Sequence, residues 1–382
     1  MMTTTTMTLA LGRVRPSEEE SLRGFARADL PFDEVWLETL LTQRRRRLST
    51  LFWKCFASTL PTCFEAILLD ANRTTWSIAM GQVRRAMLLP HDDHRGRCAR
   101  RAAIGLALSD IEHGCATSFS VVLDEPHAFL FAGHVLPPAR QIACESDGTF
   151  TELRLDGEPW RASSRSAQPR ITTPRRDVPI LASLPFGHPF PEPLAPAKPN
   201  EEIRAHFESA FAILGEADRG YPAPIFVPWV ARATRALVPV LTPPDQTISS
   251  SFEDLPGVIA LSHASDAMHL ADCLVHEASH QHVQFLQQLG PMDDGSDDTL
   301  YWSPARRENR PLEKIVLAYH AFVNILRFWE ACRDRGIGDE ETCSRMIAHK
   351  RHYCEELRKP LETERALAAL TRIGRALIDL DS

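Results

Sequence analysis

The stretch that decides the fold runs from Met268 to Pro291 and reads MHLADCLVHEASHQHVQFLQQLGP. Apolar residues recur in it at spacings of three and four, a pattern that predicts a helix with one buried face. The residues that carry this pattern are Ala271, Leu274, Val275 and Ala278. Ser265 is a candidate N-cap, and Gly290 followed by Pro291 is a stop signal. The sequence therefore predicts one long amphipathic helix here.

This helix carries a His-Glu-x-x-His pentad with histidines at positions 276 and 280. Residues four apart lie one above the other on a helix, so His276 and His280 point the same way and can share one divalent metal ion. Glu277 lies beside them and can accept or donate a proton. The competing interpretation is a pair of coincidental surface histidines, since the chain has 15 histidines. The glutamate and the long amphipathic helix around the pair favour a metal site.

Two further histidines flank the pentad. His269 lies two turns before His276, about 10 Å along the helix axis, which is too far to join the same ion. His282 points away from the pair. We expect both to be ordinary residues of the polar face.

Composition restricts the class of protein. The 382 residues, with 44% hydrophobic and 24% charged side chains, indicate a soluble globular protein. The net charge of −7 gives no support for a nucleic-acid partner. The nine cysteines are odd in number and form no Cys-x-x-Cys motif, which argues against a disulfide framework or a thiolate zinc site and favours the cytoplasm. Neither a secretory signal nor an apolar run long enough to span a membrane is predicted.

The order of the predicted elements indicates an α+β fold that is mainly helical. Helical patterns fill residues 18–60, 66–89 and 97–113, and short β-like runs follow at residues 119–123, 128–131 and 150–155. Residues 163–200 are rich in Pro, Ser and Arg, which predicts a linker or a long surface-wrapping loop. We therefore predict an N-terminal region at 1–162, this linker at 163–200 and a metal-binding domain at 201–382.

The C-terminal half begins with a predicted helix at residues 201–217. Two short strands, at 248–252 and 258–262, then come directly before the pentad helix. This order is typical of zincin-like metalloproteins, in which a strand edge beside the metal can hold an extended peptide. Three predicted helices complete the chain, at about 312–333, 339–359 and 362–377.

A catalytic metal needs a third protein ligand. His320 is the first candidate, because it lies in an apolar stretch of the next helix, which can fold back against the pentad helix. Glu313 lies two turns earlier on about the same face and would complete a two-histidine, one-carboxylate set. Glu330 is a weaker third choice. A satisfied core histidine at position 320 is the competing interpretation.

Arginines precede this helix at positions 306, 307 and 310, between Pro304 and Pro311. A guanidinium group can hold a carboxylate through two parallel hydrogen bonds. Arginines close to a metal could therefore bind a dicarboxylate co-substrate or a peptide carboxyl terminus. A solvated turn paired with the acidic residues at 293–298 explains them equally well.

Four segments occur together in the order that a known family uses. They are residues 249–257 (SSSFEDLPG), 275–281 (VHEASHQ), Ser303-Pro304 with Arg306 and Arg310-Pro311, and His320-Ala321-Phe322. Together they resemble the HExxH-motif proteins of ribosomal peptide natural-product pathways, whose members are 2-oxoglutarate-dependent peptide β-hydroxylases with a non-haem iron centre. The resemblance spans residues 249–329. Ala305 departs from it, because the family usually has an aromatic residue there, and Arg307 and Asn309 depart as well.

The resemblance implies that His276, His280 and His320 bind Fe(II), with Glu277 beside the metal or acting on protons. It implies that Arg306, Arg310 and Ser303 hold 2-oxoglutarate, and that a precursor peptide is the substrate. The alternative from the pentad alone is a zinc metallopeptidase, in which Glu277 would deprotonate a metal-bound water. A non-catalytic, metal-stabilised binding protein is a third possibility. The sequence leaves the oligomeric state and the choice between iron and zinc open.

Overall fold

A computed structural model describes residues 22–28, 34–70, 79–89, 93–132, 134–161, 170–173, 177–188, 190, 194–219, 221, 225–241, 247–262, 266–287 and 289–378. Helices account for 54% of the structure and strands for 22%, which confirms the predicted mainly helical α+β class. The candidate N-cap Ser265 lies outside the described residues. At the start of the pentad helix, Asp266 Oδ1 accepts hydrogen bonds from the backbone amides of Met268 and His269, at 2.9 and 3.1 Å. An aspartate in this position stabilises the first turn of a helix.

In the described part of the chain, helices come first and last, and the strands lie between them. The helices are α1 (residues 22–26), α2 (Glu34–Phe56), α3 (Cys63–Leu69), α4 (Ala79–Leu88), α5 (Asp93–Glu112), α6 (Glu201–Ala217), α7 (Phe226–Ala233), α8 (Ala267–Gln287), α9 (Leu312–Asp334), α10 (Glu340–Leu361), α11 (Glu364–Ala369) and α12 (Arg372–Ile378). The strands are β1 (Thr117–His127), β2 (Leu130–Phe131), β3 (His134–Val135), β4 (Ala139–Ser146), β5 (Thr151–Leu155), β6 (Glu158–Trp160), β7 (Arg170–Thr172), β8 (Asp177–Pro179), β9 (Ala195–Pro196), β10 (Ala236–Leu241), β11 (Ser249–Phe252), β12 (Leu255–Ser262), β13 (Leu300–Ser303) and β14 (Glu308–Pro311).

Two four-stranded sheets have different roles. The first, in the order β1-β4-β5-β6, is antiparallel and follows the N-terminal helices. The second has the order β11-β12-β10-β9 and lies beside α8. In it β12 pairs antiparallel with β11 but parallel with β10. All eight residues of β12 are buried, as expected for a central strand, and β11 forms an edge of the sheet.

Three long helices surround the candidate site. α8 packs against α9, and α9 packs against α10. α9 is long and apolar enough to cross a membrane by length and composition, but 72% of its most apolar window is buried inside the protein. A core helix of a soluble protein has these properties, because it is covered by other helices instead of lipid.

The described parts of the segment 163–200 contact the second sheet. The edge strand β9 pairs antiparallel with β10 at Val240 and Leu241. Ile180 forms an isolated parallel bridge with Leu237 in the same strand. The surface-wrapping loop, one of the two predicted alternatives, would make contacts of this kind. The division into domains itself stays a prediction.

The N-terminal region reaches the candidate metal-binding half at two places. The first is the β11–β12 turn, where Gln82 of α4 donates to the carbonyl of Asp254 at 2.9 Å and Arg85 pairs with the Asp254 carboxylate. Gly81 permits this approach, since a Cβ atom there would lie 2.5 Å from that same carbonyl oxygen.

The second contact is made by residues 22–28, which pack between α7 and α9. The indole of Trp229 in α7 donates to the carbonyl of Phe25 at 3.1 Å, and the backbone amide of Ala28 donates to Asn324 Oδ1 in α9 at 2.9 Å. Leu22, Phe25, Ala26 and Ala28 are fully buried. The chain before the first sheet therefore forms part of the core of the C-terminal half.

Candidate metal centre

The accessible side of α8 is a narrow stripe. Most residues of this helix are buried, but Cys273, His276, His280 and Gln284 are only half-buried. Their spacings of three and four place them on one side of the helix. The two histidines of the pentad are thus the imidazoles on the part of α8 that a small ligand can reach.

His276 and His280 meet through the same ring atom. Their Nε2 atoms lie 3.0 Å apart, and the rings are perpendicular with centroids 4.6 Å apart. Two nitrogen ligands bound to one ion at about 2.1 Å lie about 3.0–3.4 Å from each other. The pair therefore has the separation that a shared metal ion needs. The same distance also allows one ring to donate a hydrogen bond to the other.

The surroundings of His280 keep its imidazole neutral. Burial lowers its pKa well below the usual value, and the positive charges of His276, His320, Arg306 and Lys314 lower it further. A metal binds the neutral imidazole, because the lone pair must be free of a proton. His280 Nδ1 is buried and has no hydrogen-bond partner among the described residues.

Glu277 is held by the edge strand of the second sheet. Ser249 Oγ in β11 donates a hydrogen bond to Glu277 Oε1 at 2.7 Å. The other carboxylate oxygen, Oε2, is buried without a partner in the described part of the chain. Sequence reasoning missed Ser249 as a site residue, although it belongs to the segment 249–257. The pairing orients one oxygen and leaves the second available to a ligand.

His320 lies in α9 and is fully buried. Its Nε2 atom lies 2.5 Å from the carbonyl oxygen of Ala26, and its Nδ1 atom has no hydrogen-bond partner among the described residues. Burial lowers its pKa to about 4, and the charge of Arg327 acts in the same direction. His320 is thus a neutral imidazole close enough to influence His280 electrostatically, but its role as the third ligand stays a prediction.

The two carboxylates considered as third ligands are paired elsewhere. Glu313 Oε1 lies 3.0 Å from Lys314 Nζ, and both side chains are partly exposed. Glu330 Oε1 accepts a hydrogen bond from Arg351 of α10 at 2.8 Å. Glu330 therefore contributes to the contact between α9 and α10.

The arginines predicted to hold a dicarboxylate lie on the hairpin β13–β14. Arg306 is exposed in its turn, and its charge contributes to the lowered pKa of His280. Arg310 is half-buried, with Nε 3.3 Å from Glu308 Oε1. Ser303 is fully buried, and its Oγ has no hydrogen-bond partner within the described residues. The structure thus places a cation and an unsatisfied hydroxyl on a hairpin beside α9.

The prediction for His282 is wrong. This residue is fully buried instead of lying on a polar face. Its ring stacks on Trp229 with centroids 4.1 Å apart, and its Nε2 lies 3.0 Å from the Trp229 carbonyl oxygen. The reason is that α7 and residues 22–28 cover this side of α8. His269 is 38% exposed and pairs with Asp266 at 2.5 Å, as expected for a polar-face residue.

The fit of this site to a metal ion is good for two ligands and incomplete for three. Among the described residues, no group of three or more His, Cys, Asp or Glu side chains comes together to hold an ion. Four buried polar atoms of the predicted site nevertheless lack a hydrogen-bond partner within those residues. They are Glu277 Oε2, His280 Nδ1, His320 Nδ1 and Ser303 Oγ. Buried polar atoms without partners are costly, and a bound ligand or ordered water would satisfy them.

Burial also affects the remaining candidate donor on the stripe. It raises the pKa of the Cys273 thiol, and the carboxylates of Asp272 and Glu277 raise it further. A neutral thiol is a poor metal ligand, since metals bind the thiolate. The histidine pair is therefore the donor set that this stripe of α8 offers. Comparison of the chain with protein-family models and with curated proteins found no match.

Proposed function

We propose that this protein is an Fe(II)- and 2-oxoglutarate-dependent oxygenase that hydroxylates the β-carbon of a residue in a ribosomally made precursor peptide. The observation that carries the proposal is the pair of Nε2 atoms 3.0 Å apart next to a hairpin whose Arg306 acts electrostatically on His280. A metal and a carboxylate-binding cation in one place are the two requirements of a bound 2-oxo acid. The sequence resemblance to peptide β-hydroxylases supports the same assignment.

In this proposal the histidines hold the metal. His276 and His280 would bind it through Nε2, and His320 would supply the third bond after a small adjustment of α8 and α9. Fe(II) with 2-oxoglutarate and O2 supplies the oxidising power for hydroxylating an unactivated carbon. Three protein ligands leave open positions for the co-substrate and O2.

The residues of the hairpin would bind 2-oxoglutarate. Arg306 or Arg310 would pair with the carboxylate remote from the metal, because a guanidinium group matches a carboxylate with two hydrogen bonds. The Ser303 hydroxyl, buried and unpartnered among the described residues, would donate to it as well. Arg310 would have to exchange its present partner Glu308 for the ligand.

The edge strand would hold the peptide substrate. β11 lies at an edge of the second sheet and contacts α8, so an extended peptide could add to it by backbone hydrogen bonds. Its residues 249–251 are half-buried serines, which leave room for a partner strand. All nine cysteines are free thiols, which fits the proposed cytoplasmic location.

One observation favours zinc-dependent amide hydrolysis as a second candidate. Ser249 fixes Glu277 Oε1 and leaves Oε2 unpartnered next to the histidine pair. A carboxylate in this position can take a proton from a metal-activated water. This chemistry requires neither the hairpin arginines nor a co-substrate.

Anaerobic titration distinguishes the two functions. Metal-free protein is loaded with Fe(II), and 2-oxoglutarate is added while the visible absorption is followed. An oxygenase is expected to show the charge-transfer band of a chelated 2-oxo acid, absent in His276→Ala and weaker in Arg310→Ala. A protein that shows no band, retains zinc and cleaves peptides until Glu277→Gln is introduced would be a peptidase.

A further inference from the structure

The N-terminal residues 26–28 form a turn that lies against α9 at His320 and Asn324. All four residues that make the contacts, Ala26, Ala28, His320 and Asn324, are fully buried. His320 and Asn324 are one helical turn apart, so both side chains face the same segment. The contact joins residues that are 294 to 298 positions apart in the chain.

The hydrogen bonds fix the orientation of the Asn324 amide. Its oxygen accepts from the backbone amide of Ala28 at 2.9 Å, so the other terminal atom is the nitrogen. That nitrogen donates to the carbonyl of Ala26 at 3.3 Å and to the carbonyl of His320 at 3.0 Å. Asn324 thus holds the turn by both of its terminal atoms.

The same carbonyl determines where the proton of His320 lies. The oxygen of Ala26 can only accept, and it lies 2.5 Å from His320 Nε2. His320 must therefore be protonated on Nε2, and in the neutral ring the lone pair is on Nδ1. Nδ1 is buried without a hydrogen-bond partner among the described residues, so no described protein donor competes for this lone pair.

We propose that the turn at residues 26–28, held by Asn324, is a positioning element of the metal centre that fixes the tautomer of His320 and makes Nδ1 the atom available to the metal. The proposal rests on the proposed function, because it takes His320 as a metal ligand. A backbone carbonyl suits this role since it has no proton to donate and cannot stabilise the opposite tautomer. Asn324 acts through His320 and touches neither metal nor substrate.

The first test needs no mutation. In metal-free protein labelled with 15N-histidine, correlations between ring nitrogens and ring protons identify the protonated nitrogen; His320→Gln assigns the signal. The proposal requires His320 to be the Nε2–H tautomer near neutral pH. A ring protonated on Nδ1, or one that exchanges between the two tautomers, would overturn it.

The second test measures metal affinity, with Co(II) as a spectroscopic probe. Asn324→Leu removes both hydrogen bonds to the turn at similar side-chain volume. It is expected to bind Co(II) 10- to 100-fold more weakly, the usual loss for a residue that supports a ligand. Asn200→Ala is the matched control, because Asn200 caps α6 through the amide of Ile203 and does not touch the site.

The outcomes separate this inference from the proposed function. Co(II) binding that is weakened by His276→Ala and His320→Ala but not by Asn324→Leu would refute the positioning role and leave the metal centre intact. Binding that survives His320→Ala but not His276→Ala would also refute it, since His320 would not be a ligand. Failure of the unmodified protein to bind any divalent metal would refute the proposed function itself. If Asn324→Leu does not fold, the tautomer measurement on the unmodified protein decides.

Discussion

α8 and the hairpin β13–β14 differ in how completely the protein has prepared them for a ligand. α8 is fixed by contacts along its whole length. The Asp272 carboxylate accepts from the indole of Trp329 at 2.6 Å and pairs with Lys350 at 3.0 Å, and Gln281 accepts from the amide of Gly257 at 2.6 Å. The hairpin has an exposed Arg306, and Trp302 on it is 53% exposed.

The difference indicates two separate modes of binding. A metal ion entering at α8 finds histidines whose positions are already set, so little conformational entropy is lost on binding. A dicarboxylate entering at the hairpin must attract solvated arginines and displace Glu308 from Arg310. We therefore expect metal affinity to depend on packing and co-substrate affinity to depend on charge and salt. Four predictions test this comparison.

The largest effect is expected where α8 is joined to α9 and α10. Lys350→Met removes the partner of Asp272, whose side chain is 9% exposed, and leaves a buried charge without its counter-ion. Breaking such a pair typically costs about 3–5 kcal/mol of the free energy of unfolding. Urea denaturation of the metal-free protein measures this loss. The neighbouring Arg351→Ala is the control, since its pair with Glu330 is partly exposed and contributes at most about 1 kcal/mol. Equal losses in both variants would show that α8 is not fixed by the buried pair.

The next effect concerns the metal itself. His276→Ala removes one of two nitrogen donors that lie 3.0 Å apart, and we expect Co(II) affinity to fall by more than about 100-fold, the upper end for losing a merely supporting residue. Excess metal should raise the melting temperature of the unmodified protein and not that of the variant. His269→Ala, on the same helix but exposed, should behave as the unmodified protein does. A variant that keeps full affinity would show that the pair is only a hydrogen-bonded pair of rings.

A smaller effect is expected at the contact between α8 and the edge strand. Ser249→Ala removes the hydrogen bond to Glu277, and bonds to charged groups contribute about 1.5–3 kcal/mol. The loss should appear in denaturation of the metal-free protein. Ser251→Ala in the same strand serves as control, because the Glu277 carboxylate keeps its donor in that variant. Unchanged stability in Ser249→Ala would mean that solvent replaces the hydroxyl and that Glu277 is less rigidly held.

The smallest effect is expected on the hairpin. Arg310→Ala should weaken 2-oxoglutarate binding to the Fe(II) protein by about tenfold, or about 1.4 kcal/mol, with metal affinity unchanged. Glu308→Gln should strengthen it slightly, because Arg310 is released from its ion pair. Both affinities should decrease as salt is added, since exposed charges are screened. Opposite signs in the two variants would support the charge-based mode of binding; a loss in both would contradict it.

Local pattern was sufficient for the elements that carry the histidines. The predicted helix at 201–217 agrees with α6, and the helix predicted at about 312–333 agrees with α9 within one residue. The pentad helix was also predicted, because a 3.6-residue period with a turn signal at its end is a local property. The helix predicted at 362–377 is instead two helices, α11 and α12, since Leu370 between them forms a bridge to Asp293.

Contacts between distant residues could not be predicted. The parallel pairing of β10 with β12 and the bond from Ser249 to Glu277 depend on how the chain folds back. His282 looked like a polar-face residue because nothing in the local sequence shows that Trp229 and Phe25 cover that side of α8. The placement of residues 22–28 against α9 is the largest such contact, and no periodicity in either segment indicates it.

This last contact has a consequence for synthesis of the protein. Residues 26 and 320 meet, so the first of them leaves the ribosome about 294 residues before its partner exists. At about 5–20 residues per second this interval is about 15–60 s. During it Leu22 and Phe25, which are fully buried in the finished protein, have no place in α9 to occupy. The nascent chain must therefore carry an apolar N-terminal segment exposed until nearly the whole protein has been made, and this segment is where a chaperone would be expected to bind first.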